Sequence, residues 1–297
     1  MPGLTGQRCA VIGHPAGHSL SPALHLAAYR ELGLDWGYTA VDLAPEQLDG
    51  FVRGLDESWR GLSVTMPHKV AIRQYGQGDE LVDLVGAANT LVLPQGRNRT
   101  RAAEGVEAPR QARGTSGVPL VRNTDVGGYQ LAFAEAGIES ADSATVVGNG
   151  ATARSAVVAL RQMGVERVLV LARRPERARE LKSFCTNALG MLCAVRELAP
   201  GQVIDSDILL STVPEGGADH LAAELVQHAA VVFDSVYDPW PSALAVEAER
   251  AGKLVLNGLD LLAGQAVEQV RLMTGAEVSF GLLKSAGQEA LKARAQL

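Results

Sequence analysis

The sequence predicts an α/β protein of two domains, and three observations predict it. Short apolar strands alternate with helical segments between residues 9 and 93, and again between residues 145 and 256. A glycine turn, Gly148-Asn149-Gly150, stands between an apolar strand and a helix at the head of the second series. The 297 residues suffice for one large or two moderate domains, and 47% hydrophobic with 20% charged residues is ordinary for a globular chain. The alternation predicts mainly parallel sheets covered by helices.

Each element has its own reason. Residues 9–13 read as a short buried strand and 14–22 as a loop of turn residues. Residues 23–32 have helical spacing, with Leu24, Ala27, Ala28 and Leu32 on one side and Gly33 just past the end. Strands follow at 38–41 and 61–65, with a helix over 45–54 between them. Pro67 suits the first turn of a helix, where its missing N–H has no partner to lose, so Lys69 is expected just inside a helix start. Residues 88–93 form the next strand. Residues 94–119 hold five arginines, four glycines and no apolar periodicity, which predicts a solvated hairpin insertion of low contact density. Residues 127–137 read as helix, 145–147 as strand, 151–163 as helix, 167–171 as strand and 175–189 as a long polar-faced helix. Further strands fall at 208–210, 231–233 and 254–256, and 259–297 is mostly helical.

Composition narrows the function. A net charge of −6 argues against nonspecific nucleic-acid binding, which runs on a positive field. The three cysteines, Cys9, Cys185 and Cys193, form no CxxC, so free thiols in a reducing cytoplasm are expected. No apolar run approaches the ~20 residues that span a bilayer, and no membrane partner is expected. No His/Cys cluster suggests a metal.

Two short segments carry acid–base chemistry. Lys69 ends Ser63-Val64-Thr65-Met66-Pro67-His68-Lys69, and Asp125 ends Asn123-Thr124-Asp125. A lysine and an acid can form a charged pair that moves a proton on and off a hydroxyl. The glycine turn supplies the other half. Gly148 allows a tight turn, Gly150 lets backbone approach a pyrophosphate, and Ala153 keeps helix and strand close. The helix opening at Ala151 and Thr152 turns unpaired N–H groups toward the phosphates. The next strand runs into Arg173 and Arg174 instead of an acid; these hold a 2′-phosphate, with Arg177 assisting, which selects NADP over NAD. His14, His18 and His68 sit at loop or helix starts and are read as hydrogen-bonding within turns. Ser19 and Ser21 flank a turn and are also placed to cap the helix beginning near Pro22.

The motifs recur in one order. They are Gly13-His14-Pro15 with His18-Ser19-Leu20-Ser21-Pro22, Val64 to Lys69, Gly86-Ala87-Ala88-Asn89-Thr90, Asn123-Thr124-Asp125, the glycine turn, Asp234-Ser235-Val236-Tyr237-Asp238-Pro239, and Gly258-Leu259 with Gln265. In these residues, over nearly its whole length, the chain resembles the shikimate dehydrogenase family. The resemblance implies NADP-linked, reversible reduction of 3-dehydroshikimate to shikimate in aromatic amino-acid and chorismate biosynthesis. It implies a substrate domain over 1–124, a Rossmann NADP-binding domain over 125–257, and C-terminal helices over 258–297 returning to the substrate domain. Ser19 and Ser21 match hydroxyls that hold the substrate carboxylate, with Tyr237 nearby. Thr65, Asn89 and Gln265 match contacts to the ring hydroxyls, and Lys69 with Asp125 the catalytic pair. Gly148, Asn149, Gly150, Ala151, Thr152, Ala153, Arg173, Arg174, Arg177, Thr212, Val213, Val236, Gly258 and Leu261 match cofactor-binding positions. A monomer or homodimer is expected.

The chain departs from the family pattern at several points. The family's Gly-Ala-Gly-Gly turn is Gly148-Asn149-Gly150-Ala151, and its Asn-Arg-Thr motif is Ala172-Arg173-Arg174. Leu261 stands where a methionine is common, and the Asn-x-Thr-Pro segment becomes Ser211-Thr212-Val213-Pro214. Alternative readings are a quinate or dual-substrate dehydrogenase, a folate-type methylene dehydrogenase, and a catalytically silent NADP-binding sensor.

Overall fold

In a computed structural model that describes residues 6–94 and 117–296, the chain divides into two compact units. One combines the residues up to Thr124 with those from Gln265 onward, and the other runs from Asp125 to Gly264. The insertion at 94–119, expected as a hairpin, lies outside the described residues between 95 and 116.

The first unit contains β1 (Arg8–Gly13), α1 (Ser21–Glu31), β2 (Gly37–Asp42), α2 (Leu48–Arg53), β3 (Trp59–Val64), α3 (Glu80–Val85), β4 (Thr90–Val92) and β5 (Leu120–Arg122). Its sheet has the order β2-β1-β3-β4-β5. β1 runs parallel to β2 and β3, while the β3–β4 and β4–β5 pairs are antiparallel. Alternate strand residues point to one face, so Ala10, Ile12, Leu62 and Val64 meet Leu48, Ile72 and Val82 in one core. The short α3 is bounded by local chemistry: Asp79 accepts the Val82 N–H at its start, and Gly86 closes it at φ +73°.

Two expectations need correction in this unit. The helix over 45–54 opens as a 3₁₀ turn, Pro45–Gln47, before α2. Residues 66–70 form a turn followed by a 3₁₀ helix, Ala71–Tyr75, so Lys69 lies on a turn and not inside an α-helix. The cause is tertiary hydrogen bonding. The Lys69 carbonyl, which a helix would offer four residues ahead, accepts instead from Ala88 N–H at 2.8 Å, and the Arg73 N–H turns to Val70.

The second unit contains α4 (Asp125–Glu135), β6 (Ser143–Val147), α5 (Ala151–Gln162), β7 (Arg167–Ala172), α6 (Arg179–Ser183), β8 (Leu192–Glu197), β9 (Ser206–Ser211), α7 (Ala222–Gln227), β10 (Ala229–Asp234), α8 (Ala243–Arg250) and β11 (Leu254–Asn257). All its strand pairs are parallel, in the order β8-β7-β6-β9-β10-β11. Two strand–helix series therefore wind outward from the β6/β9 junction. In such sheets ligands bind beyond the carboxyl ends of the strands at that junction. Tyr129 and Phe133 of α4 pack on Phe233 of β10, with ring centroids 5.1 and 5.2 Å apart.

The long helix expected over 175–189 is broken into a 3₁₀ turn Pro175–Ala178, α6, and a π turn Phe184–Ala188. Burial of Phe184 and Cys185 outweighs helical regularity there, and the Arg154 guanidinium stacks 3.8 Å over the Phe184 ring. The edge strand β8 follows; it had no strand signal because its apolar Leu192 faces solvent.

The final helices are α9 (Gly258–Thr274) and α10 (Phe280–Arg294), the latter packed on α1. The division between units falls at Gly264 and Gln265, inside α9, instead of before Gly258. The reason is specific bonding from Gln265 onward: Gln265 meets Asn89, Gln269 meets Thr90, and the Met273 carbonyl accepts from Arg60 at 2.6 Å.

Candidate active site

In the first unit the substrate-type residues cluster on turns at strand ends. The Ser19 hydroxyl donates to Ser21 Oγ at 3.1 Å and accepts the Ser21 N–H at 3.2 Å. The N-cap position of α1 is Leu20, which has no side-chain cap bond, and Ser19 Oγ takes up the first N–H of the helix instead. Their loop is held from the far end of the chain: Arg294 donates to the carbonyls of His18 (2.8 Å) and Ser19 (3.1 Å). His14 bonds Asp42 at 2.5 Å, and the buried His68 bonds the Leu43 carbonyl at 2.7 Å. Both rings are therefore tied to the frame around the loop.

Asn89 is fully buried at the start of β4 and has every polar atom engaged. Its Oδ1 accepts from Thr124 N–H (2.8 Å), Thr124 Oγ1 (3.1 Å) and Thr90 Oγ1 (3.1 Å). Its Nδ2 donates to Gln265 Oε1 at 2.8 Å. Thr65 follows β3, its N–H bonded to the Ile12 carbonyl at 2.9 Å. Lys69 is half-buried on its turn between the exposed Met66 and Val70.

Behind this surface lies a set of polar residues that the sequence did not announce. Tyr38 donates to Ser63 Oγ at 2.6 Å, and Ser63 donates to Gln269 Oε1 at 2.8 Å. His25 Nε2 meets the same Oε1 at 3.1 Å, and Gln269 Nε2 donates to Thr90 Oγ1 at 3.2 Å. The His25 ring stacks on Tyr38 at 4.1 Å between centroids. Burial pushes the His25 pKa down from 6.5 to about 4, opposed by its bond to Gln269, so the ring is neutral near pH 7. The one available signal was the spacing of Gln265 and Gln269, which puts both on one helix face.

The second unit carries a cavity of about 470 Å³ at the carboxyl ends of β6, β7 and β9. Gly148, Asn149, Gly150, Arg173, Arg174 and Arg177 line it, together with Thr212 and Val213. Gly148 has φ +111°, and a Cβ there would lie 2.4 Å from Thr212 Oγ1. Thr212 is fixed by donating to the Val147 carbonyl at 3.0 Å. Gly150 is the N-cap of α5, and a Cβ there would meet nothing within 4 Å, so the approach to the helix N-terminus is open. Ala151 and Thr152 open α5, and Ala153 is fully buried against the sheet. Asn149 Nδ2 donates to the Arg177 carbonyl at 2.9 Å. The residue that departs from the family turn thus ties that turn to the arginine segment. Open N–H groups, a glycine where a Cβ would collide with Thr212, and three cations on one cavity wall fit a dinucleotide with a third phosphate.

Asp125 is buried as the first residue of α4. Asp234, buried at the end of β10, has its carboxyl pKa raised by burial. Beyond it, Gly258 lies so close to Ser235 and Tyr237 that a Cβ would stand 2.1 Å from the Ser235 carbonyl oxygen and 2.9 Å from Tyr237 Cδ1. The Gly258 N–H donates to the Val236 carbonyl at 3.1 Å, which fixes the segment bearing Val236 and Tyr237 against the start of α9. Leu261 is buried one turn further on. Among the described residues no His, Cys, Asp and Glu side chains gather as a metal site, and no helix is long and apolar enough to cross a membrane.

A doubly wound parallel sheet with an arginine-lined glycine-turn cavity, joined in one chain to a unit bearing a lysine and hydroxyl- and amide-rich turns, defines a class: nicotinamide-nucleotide-linked oxidoreductases. Comparison with known proteins makes it narrower. Residues 11–91 match the shikimate dehydrogenase substrate binding domain. The chain is 34% identical over 288 residues to a shikimate dehydrogenase (NADP(+)) from Methanothermobacter thermautotrophicus, covering 93% of this chain and 94% of the relative. Shikimate dehydrogenase from Mycobacterium tuberculosis superposes with a TM-score of 0.81 at 34% identity, covering 95% and 99% of the two chains. The Thermus thermophilus shikimate 5-dehydrogenase, solved with NADP(H) and shikimate, does so with a TM-score of 0.78 at 29% identity, covering 96% and 99%. The chain belongs to the shikimate dehydrogenase family.

Proposed function

We propose that the chain catalyses the NADP-linked, reversible reduction of 3-dehydroshikimate to shikimate, with Lys69 as the proton donor. The observation that carries the substrate reading is the Asn89–Gln265 bond at 2.8 Å, which joins two amides 176 residues apart on one wall of the first unit. Two amides side by side suit a ring bearing neighbouring hydroxyls, since each offers both donors and acceptors. The Ser19–Ser21 hydroxyl pair suits a carboxylate in the same way. The nucleotide, when bound, supplies or takes up the hydride. Gly148 to Ala153 would hold its pyrophosphate, Arg173, Arg174 and Arg177 its 2′-phosphate, and Thr212, Val213, Val236, Gly258 and Leu261 its nicotinamide half.

As a C3 ketone is reduced, negative charge grows on its oxygen. The Lys69 ammonium stabilises that charge and gives up a proton to it; in the oxidative direction the neutral amine takes the proton back. Asp125 is given, by the family resemblance, the role of a carboxylate that hydrogen-bonds the substrate hydroxyl. Tyr237 is given, by the same resemblance, the role of a substrate-binding hydroxyl. We assign the protein to the cytoplasm, on its three free thiols, and to a monomeric or homodimeric state. The test is Lys69→Ala assayed with shikimate and NADP⁺. A general acid–base is worth roughly 100-fold or more, so kcat falls by that factor with KM little changed. A variant with near-normal kcat refutes the assignment.

A further inference from the structure

We infer that Gln269 is a positioning residue: it orients the Thr90 hydroxyl and thereby fixes which end of the Asn89 amide faces the substrate. The inference rests on the reading of Asn89 as a substrate contact. It follows from one obligate donor. A backbone N–H can only donate, so the Asn89 atom 2.8 Å from Thr124 N must be the oxygen. That oxygen carries no proton, so Thr90 Oγ1 at 3.1 Å must donate to it. The single Thr90 proton is then committed. Whatever meets Thr90 Oγ1 from behind must donate, and the group there is the Gln269 amide at 3.2 Å. Its NH₂ therefore faces Thr90, and its oxygen faces Ser63 (2.8 Å) and His25 Nε2 (3.1 Å).

Both of those groups are able to donate. Ser63 accepts from Tyr38 at 2.6 Å and so has its own proton free to give. His25 is neutral and completes the chain with its proton on Nε2. Among the described residues its Nδ1 has no partner, and a bare lone pair there is tolerated better than an unpaired N–H. Every donor from Tyr38 to Asn89 thus points one way, and the chain ends with the Asn89 NH₂ directed at Gln265 Oε1 and the ring site. Gln269 and Thr90 are both buried, and their bonds reach the site only by way of Asn89. Removing the Gln269 amide leaves Thr90 free to turn its proton away, and Asn89 loses one of three bonds holding its oxygen inward.

The experiment compares Gln269→Met, Thr90→Val, the double variant and Asn89→Ala, in full-length protein, for KM and kcat with shikimate and Kd for NADP⁺. Loss of one neutral hydrogen bond predicts a KM for shikimate raised about 5- to 10-fold in each single Gln269 or Thr90 variant. kcat and the NADP⁺ Kd stay within about 3-fold, since the bond bears on ground and transition states alike. The double variant matches Thr90→Val, because both changes break the same chain. Unchanged KM in Thr90→Val overturns the inference, even if Gln269→Met does not fold. So does full additivity in the double variant, or a Gln269→Met effect confined to thermal stability. Should Asn89→Ala itself leave KM unaltered, the substrate reading fails instead.

Discussion

Replacing Gly148 by alanine perturbs the nucleotide cavity at its tightest point. Two costs follow from the structure. The backbone there sits at φ +111°, where an L side chain is strained by about 1–2 kcal/mol. The new Cβ would also stand 2.4 Å from Thr212 Oγ1. The threonine must turn away and lose its 3.0 Å bond to the Val147 carbonyl, which costs about 1 kcal/mol. Gly148→Ala should therefore destabilise the protein by about 2–3 kcal/mol. Thr212→Ala alone should cost about 1 kcal/mol. In the double variant that bond is lost only once, so the total should fall about 1 kcal/mol short of the sum. Urea unfolding of the four proteins measures this directly. Saturating NADP⁺, worth about 2.7 kcal/mol at 100 times Kd, should stabilise wild type and barely stabilise Gly148→Ala. Additive single and double variants would show that Thr212 is not what the alanine meets. Undiminished stabilisation by NADP⁺ would show that the glycine does not shape the phosphate site.

Three further outcomes are expected. Arg173→Ala with Arg174→Ala should weaken NADP⁺ strongly, at about 1.5–3 kcal/mol per charge-assisted bond, and leave NAD⁺ nearly unchanged; initial rates with both nucleotides check this, and equal use of NAD⁺ by wild type refutes it. Shikimate should exceed quinate in kcat/KM by about tenfold or more, because quinate buries an extra hydroxyl at a cost of about 1–3 kcal/mol; Ser21→Thr should narrow the gap, and better turnover of quinate by wild type sinks the argument. His25 has its pKa lowered from 6.5 to about 4, so between those values the unfolded chain binds a proton that the folded chain does not. Stability should therefore fall as pH drops through that window, by roughly 3 kcal/mol in full. Urea midpoints for wild type and His25→Leu near pH 7 and near pH 4 test it, and identical pH slopes refute it.

What could be read from the sequence was whatever chemistry is local. The glycine turn, the strand before it, the helix after it and the arginines that follow all announce themselves within about 30 consecutive residues, and the cavity gathers them. Asn89 and Gln265 entered by resemblance alone; nothing local says that they meet. The turn at Lys69 was read as helix because Pro67 is compatible with one, while the deciding bond comes from Ala88, far along the chain. Edge strand β8 was invisible because apolar alternation marks a buried face, and this strand exposes Leu192. Gln269 was silent for a related reason. A glutamine on a helix reads as solvent-facing, and only the sheet packed against it turns that position into a junction of buried donors and acceptors.

The grip of Arg294 on the carbonyls of His18 and Ser19 has a consequence for the order of synthesis. The serine loop leaves the ribosome well ahead of the residue that fastens it, since Ser19 and Arg294 are 275 residues apart. The second unit, continuous from Asp125 to Gly264, has all of its strands in hand before Arg294 is made. The first must wait, its sheet made but its serines unfastened, until α10 has emerged. A nascent chain of this design carries a finished nucleotide fold and an unfinished substrate site, and unwinding of the last turn of α10 would return the folded protein to that condition.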